Sequence, residues 1–521
     1  MKSYDPIELE IFKNLFVSVA EEMGAVLGRT ALSPNIKERK DYSCAVFNAR
    51  GETLAQGSHI PVHLGAMPLS VQAALASLTF DDGDLVLVND PYHGGTHLPD
   101  ITCIAPVFDH GRAAFFIANR AHHSDVGGMS PGSMPLATEI FQEGMIIPPL
   151  KLVKRGELDE DVLRLFLANV RTPEERKGDL LAQMAACEKG RARMVEAVEK
   201  YGMAKIIRYT RLIQDYTAAF LEATLRAIPN GTYRFAEVLD NDGISDDPIR
   251  IQAAVTIKGS RAIVDFRGSS PQVRGGVNAN AAVTASAVLY VFRSLIEEDI
   301  PFNTGLLRPI TIVAPPGLVV SAQFPAATAA GNVETSQRIV DVLLGALAKA
   351  VPGRVPAASQ GTMNNIAFGG FDPVRGRAFA YYETIGGGMG ASRERDGLSG
   401  VHSHMTNSLN TPLEALENYL PLRIRRYGLR TGSGGSGRHK GGEGIIREYE
   451  FFVPARVTIM SERRVFAPYG QAGGGPGARG RNCLIRRNRK TLLGSKATLQ
   501  VEPGDILSIE TPGGGGYGRK R

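Results

Sequence analysis

The sequence predicts a mixed α/β (α+β) protein of several domains, and three observations carry that reading. At 521 residues the chain is longer than one hydrophobic core encloses. Runs of helical spacing and β-rich runs both occur, but in different stretches of the chain, so neither class accounts for the whole. Glycine is frequent, at 59 residues, and much of it lies after position 430 among short β-rich segments. With 43% hydrophobic and 21% charged residues, the composition is that of a packed globular protein.

Four regions are expected: 1–155, 156–231, 232–428 and 429–521. The first opens with a helix. Asp5 is placed to cap it, Pro6 suits the first helical position and Glu8 has capping-box spacing. Ile7, Ile11, Leu15, Val19 and Met23 then recur every four residues as its apolar stripe, which Val26 and Leu27 continue. Short strands follow at 44–47, 85–89, 101–108 and 113–118, the last two joined by the turn Asp109-His110-Gly111. Two long helices, about 175–199 and 202–228, meet at Tyr201-Gly202, and Pro229-Asn230-Gly231 ends the second. From 232 to about 425 strands and helices mix: 261–266 is strand-like, while 279–297 and 334–350 have helical length and spacing. The final ninety or so residues alternate runs such as REYEFFV, RVTIMS and ILSIET with glycine clusters, which predicts a compact β domain.

Several function classes are excluded or discounted. The four cysteines (Cys44, Cys103, Cys187, Cys483) form no CxxC pair, against a zinc ribbon or a disulfide framework. The longest apolar stretches are too short for a membrane span, and MKSYDPIELE lacks a secretory core, so a cytoplasmic setting without membrane is expected. The net charge is +6, and the basic cluster at Arg486, Arg487, Arg489, Lys490 and 519–521 has no aromatic interleaving. It is read as a solvated face, and no nucleic-acid partner is expected. GSGGSG (432–437) and GPGARG (475–480) match GxGxxG but lack the βαβ context, and no GxxxxGK[ST] loop exists, so this chain alone is not expected to bind ATP.

The chemistry concentrates in histidines. Seven of the ten fall between His59 and His123. The passages 89–100 (NDPYHGGTHLPD) and 119–128 (NRAHHSDVGG) both read as loops at the ends of neighbouring strands. His97 and Asp100 are three apart, with Pro99 stiffening the turn between them. His122 follows the strand that pairs with the one beginning at Ile101, and Asp41 precedes the strand at 44–47, so all four can reach one point. Two imidazoles and two carboxylates suit a divalent transition metal such as Mn, Fe, Co or Zn. His402 and His404, in GVHSHMTNSLNTP, form a second polar turn that could also touch a substrate.

These loops, NDPYHGGTHLPDITCIAPVF (89–108) and ANRAHHSDVGGMSPGSMP (118–135), resemble the signature loops of the hydantoinase B/oxoprolinase family. Further similar segments include 38–68, 139–149, GGVNAN (275–280), GNVETSQRIVD (331–341), 400–417, GSGGSGRHKGGEG (432–444) and TPGGGGYG (511–518), so the resemblance covers the whole chain. It implies a multidomain hydantoinase B-like architecture with a glycine-rich β C-terminal domain. It also implies the metal-bearing, B-type component of an ATP-dependent cyclic-amide hydrolase, opening a hydantoin, 5-oxoproline or another lactam. A hydantoinase A-like partner would bind ATP and phosphorylate the substrate carbonyl, in a heterotetramer of two A–B pairs. Carried across, the family's metal ligands are Asp41, His97, Asp100 and His122. His123 or Asp125 would accept a proton from water or orient a ligand, and Glu143 is a further acidic candidate. The alternative implied by the same family is a component of an ATP-dependent ketone carboxylase of the acetone or acetophenone type.

Overall fold

The structure is a computed structural model that describes residues 5–57 and 59–520. Its N-terminal helix, Pro6–Thr30, begins as expected: the Asp5 carboxylate accepts from the Ile7 amide at 2.9 Å and Pro6 follows. Two expectations about this helix are corrected. Glu8 does not close a capping box; its carboxylate pairs with Lys205 and accepts from the Tyr209 hydroxyl. The buried stripe is Leu9, Phe12, Phe16, Val19, Met23 and Leu27, whereas Ile7 and Ile11 are exposed. Four residues advance a helix by about 400°, so a strict four-residue row drifts about 40° per step and leaves the buried face.

That helix packs on a seven-stranded sheet whose strands are β1 (Tyr42–Asn48), β2 (Thr53–Gln56), β3 (Leu85–Val88), β4 (Asp100–Asp109), β5 (Arg112–His122), β6 (Leu150–Lys154) and β7 (Glu157–Leu158), in the order β2-β1-β5-β4-β3-β6-β7. Alternation along β1 divides two cores. Cys44 and Val46 face the N-terminal helix and the long helices 173–201 and 203–226, while Ala45 and Phe47 meet Met67, Val71 and Ala74 of the helix Ala66–Ser77. The two long helices break at Gly202, where φ is +79°, as the Tyr201-Gly202 signal suggested.

A second, four-stranded sheet (231–239, 249–258, 261–265 and 310–313) carries the helices Ala281–Ser294 and Ser336–Ala350, which share one core with it. Strands 365–372 and 377–383 form a third sheet with 455–460 and 496–501. A fourth sheet runs 422–430, 444–451, 506–510, 481–486 and 489–493. The expected division after 428 therefore falls inside the strand Leu422–Arg430, and the glycine-rich segment shares its core with Ile366, Phe368 and Tyr381. Register and burial, which local sequence does not carry, decide that strands on both sides of 428 belong together.

The glycine clusters pack backbone against backbone. Gly435 donates to Gly514 O at 2.8 Å, Gly514 to Gly442 O at 2.9 Å, and Gly442 to Met389 O at 2.8 Å. A Cβ on Gly514 would stand 2.0 Å from the Met389 carbonyl oxygen, and one on Gly388 would stand 2.1 Å from Gly442 O. Glycine is there because no side chain fits between segments at this separation. Among the described residues no helix is long and apolar enough to cross a membrane. All four cysteines are buried and free.

Gly514→Ala is expected to lower stability by about 3 kcal/mol or more, because the obstructing atom is backbone and cannot rotate away. Urea unfolding checks this; a variant within about 0.5 kcal/mol of wild type would show that the glycine layer yields.

Candidate metal centre

The antiparallel pairing of β4 and β5 sets Asp100 directly opposite His122. Their side chains meet: Asp100 Oδ1 lies 3.1 Å from His122 Nδ1 and 3.2 Å from His97 Nε2, and the two ring nitrogens are 3.2 Å apart. All three side chains are buried. His97 arrives from the loop before β4, which is held at several points. Asn89 donates to Leu98 O at 2.8 Å, Asn280 donates to Gly95 O and Thr96 O, and buried Arg120 reaches Gly94 O. Asn280 also caps the helix Ala281–Ser294 through Val283 N, so one side chain ties the second core to the ligand loop.

Each of the three side chains is oriented from behind. The other oxygen of Asp100, Oδ2, takes His63 Nε2 at 3.2 Å and the Thr96 hydroxyl, while His63 Nδ1 faces Ser43 Oγ at 2.9 Å. His97 Nδ1 faces Ala329 O at 3.4 Å, which puts the proton on Nδ1 and the lone pair of Nε2 toward the cluster. Tyr382 stacks on His122, with centroids 4.3 Å apart and planes at 18°, and its hydroxyl donates to Asn365 Oδ1 at 2.7 Å. Burial alone would raise the Asp100 carboxyl, but the imidazoles of His97 and His63 and the hydrogen bonds from His122 and His63 hold it well below the usual range. Burial lowers His122.

The donor set fits a divalent cation. An ion bonded at about 2.0–2.2 Å spaces neighbouring ligand atoms about 2.8–3.6 Å apart between octahedral and tetrahedral angles. The three contacts of 3.1–3.2 Å fall within that span. Three polar atoms in mutual contact cannot all be satisfied by the protons available, and His122 Nε2 has no partner either. Asp41 lines the same small cavity of about 20 Å³, with His63, Asn332 and Tyr382, but stands outside the close triangle. Its carboxylate is 3.8 Å from Arg39 Nη2, and its carbonyl accepts from His122 N at 3.0 Å.

His123 and Asp125, expected beside the reacting atoms, are not brought there. His123 follows His122 at the strand end, so its side chain leaves from the opposite face. Its Nε2 meets Gln183 Oε1 at 2.9 Å, its ring lies edge-on to Phe166, and burial pushes it down to about 4. Asp125 is occupied by the amides of Gly127, Gly132 and Arg171 and by the Arg171 guanidinium at 2.9 Å, which fold the loop after β5. Glu143 sits behind His97: its Oε1 accepts from Thr328 N and Ala329 N at 2.8 and 2.9 Å. His63 and Tyr382 were missed. His63 stands in HIPVHLGAMP, inside a segment already matched to the family, whereas nothing local marked Tyr382.

Burial pushes the Glu143 carboxyl up to about 7 from its ordinary 4.5, against hydrogen bonds from Ala329 and Thr328 that favour the anion. The folded protein thus keeps a proton that the unfolded chain has lost. The associated stability is complete below the ordinary carboxyl value and disappears as pH rises through about 7. Glu143→Gln keeps the acceptor and removes the titration. The variant should gain stability relative to wild type between about pH 5 and about pH 8, read as urea midpoints. An unchanged difference would mean Glu143 is ionised throughout.

Comparison with known proteins adds the family. Residues 5–520 match hydantoinase B/oxoprolinase. 5-Oxoprolinase 1 of Arabidopsis thaliana is 42% identical over 99% of this chain and 42% of its own length, so the chain spans about two-fifths of that relative. A Pseudomonas protein described as the putative B component of a D-/L-hydantoinase is 31% identical over 99% of this chain and 90% of its own. The crystal structure of the ATP-dependent caprolactamase from Pseudomonas jessenii superposes with a TM-score of 0.92 at 30% identity, covering 99% of this chain and 92% of that one. Acetone carboxylase shares the fold at a TM-score of 0.91 and 21% identity, over 99% of this chain and 76% of its own. The chain belongs to the hydantoinase B/oxoprolinase family.

Proposed function

We propose that this chain is the metal-bearing component of an ATP-dependent cyclic-amide hydrolase, working on a carbonyl that an A-type partner has phosphorylated. The observation that carries the reading is the convergence of His97, Asp100 and His122 on one point, each supported by a further residue. The names of its relatives, a 5-oxoprolinase, a caprolactamase and the B component of a hydantoinase, supply the substrate class and the partner. A divalent transition metal held by His97, Asp100 and His122, with Asp41 completing the set, would lower the pKa of a water and act as a Lewis acid.

This chain's residues do the rest. His63 and Thr96 hold one Asp100 oxygen, so the other points at the cluster. Tyr382 covers one face of His122 and keeps solvent from it. Phosphorylation of the amide carbonyl oxygen by the partner turns the resonance-stabilised amide into an electrophilic imidate. The oxygen of water adds to its carbon, the ring C–N bond breaks, and the proton passes to nitrogen. A second water cleaves the resulting acyl phosphate to carboxylate and phosphate. His123 and Asp125 act as positioning residues that brace the end of β5 and the loop behind it.

His97→Ala, purified with the A-type partner, should lose at least about nine-tenths of the bound metal and remain folded, by elemental analysis and circular dichroism. His123→Gln should retain it. Full metal occupancy in His97→Ala removes that residue from the ligand set. In the same complex, ATP consumption should follow hydantoin, 5-oxoproline or a lactam. Consumption confined to ketone plus bicarbonate would overturn the hydrolase reading in favour of a carboxylase.

A further inference from the structure

A cleft of about 660 Å³, within the range of ligand pockets, opens where the fourth sheet meets the loops after 239 and 460. It shares no lining residue with the metal cavity. Among the described residues, four arginines and a single carboxylate, Asp246, line it. Arg430 ends one strand and Arg481 begins another, Arg464 follows the strand 455–460, and Arg479 stands in GPGARG. Gathering like charges costs energy unless opposite charge offsets it. The protein offsets these only in part. Glu510 serves three cations at once: Arg430 Nε at 3.3 Å, Lys490 Nζ at 3.6 Å and Arg481 Nη1 at 4.0 Å. Arg464 rests on neutral acceptors, with Nη1 donating to Asn364 Oδ1 and Glu462 O at 2.7 Å and Nη2 to Asn482 Oδ1 at 2.8 Å. A Cβ on Gly480 would stand 2.9 Å from its Cζ, so the glycine leaves this guanidinium its place. Burial pushes Arg464 down to about 10, and Arg430 adds to the fall against Glu334, Asp240 and Glu462.

Donors remain free. Arg430 sends Nη1 to Arg479 O and Thr511 O, whereas its Nη2 meets no acceptor among the described residues and is not sealed from solvent. Arg479 and Arg481 are exposed. Arg479 donates only through Nη1, to Val465 O at 3.2 Å, and forms no ion pair among the described residues. The amides of Gly477, Ala478 and Gly480 already donate to Pro468 O, Ser433 O and Arg463 O, so GPGARG presents a guanidinium and not an amide cradle. Beside these charges the lining is apolar, and Val465 and Leu492 are 51% and 71% exposed. We propose that this cleft binds a phosphate ester with an apolar or aromatic body, the phosphate on Arg430, Arg479 and Arg481 and the body against Val465 and Leu492. A guanidinium fork matches the oxygens of a carboxylate or a phosphate, and several forks with excess positive charge favour the near-dianionic phosphate. The volume exceeds what a bare phosphate fills, and the apolar lining gives the rest of the ligand a surface to cover. The site stands apart from the metal cluster and holds whether or not the chain opens cyclic amides.

1-Naphthyl phosphate serves as the probe, because the chain has no tryptophan and the fluorescence of the ring reports binding. Titrated into the full chain, it should bind at least about tenfold more tightly than 1-naphthoate or, by calorimetry, inorganic phosphate. Arg479→Glu and Arg481→Glu, both at exposed positions, should each weaken it by at least about tenfold while circular dichroism stays that of wild type. Leu492→Ser should weaken the ester and leave the affinity for inorganic phosphate within about twofold. No binding of the ester to wild type would overturn the proposal, as would wild-type affinity in both charge-reversal variants. 1-Naphthoate bound as tightly as the ester would overturn it too. Loss of a protein partner in the two charge-reversal variants, with no ester bound by wild type, would give the cleft to an acidic segment of that partner instead.

Discussion

The structure depends on one buried carboxylate. Asp100 lies in the interior of the first sheet region, 1% exposed, where an isolated anion would cost several kcal/mol. It is tolerated because the register of β4 on β5 places His122 opposite, a three-residue turn brings His97 alongside, and His63 and Thr96 reach its second oxygen. A one-residue slip of that pairing would carry His122 to the other face of the sheet and leave the charge unmatched. Register and loop geometry are therefore one constraint.

The surrounding architecture serves that constraint from several distant parts of the chain. Asn280 caps a helix of the second core and clamps the His97 loop. The Ala329 carbonyl accepts from His97 Nδ1 while its own amide donates to Glu143. Tyr382, from the third sheet, stacks on His122 and receives the Arg39 guanidinium at its carbonyl, 3.1 Å away. A site assembled from separate cores loses its geometry if any of them shifts, which favours close packing throughout. The glycine layer shows the same economy at the other end of the molecule, where segments meet at backbone distance and side chains are excluded.

The cleft beside the ligand cluster differs in kind. The cluster is crowded, with a cavity of about 20 Å³, whereas the cleft of about 390 Å³ has apolar walls formed by Leu295, Leu344 and Val355. Thr406, common to both, also contacts Ser408 Oγ at 3.1 Å, and Ser408 in turn accepts from buried Arg39. Thr406 is thus braced by the network that holds Tyr382.

Much of this was legible from residue types and spacing. The HxxD turn, the HH pair one strand later and the Asp109-His110-Gly111 turn located the hairpin and the three side chains that converge at its end, because turn chemistry and strand pairing act over a few residues. Periodicity placed the long helices and their break at Gly202 for the same reason. What local pattern could not settle was direction and distance. A four-residue row misassigned the N-terminal helix stripe by its slow drift. Adjacent His122 and His123 look alike in sequence, yet alternation at the strand end sends one to the cluster and the other to Gln183. Glycine frequency marked the C-terminal region without revealing that its strand 455–460 pairs with 365–370. His63 and Tyr382 reach the cluster through contacts far apart along the chain, and only the packed fold brings them together. The sequence by itself determined which elements form and which polar side chains are available to a buried cluster; the tertiary structure decided which of them face one another, because burial and strand register are properties of the assembled chain.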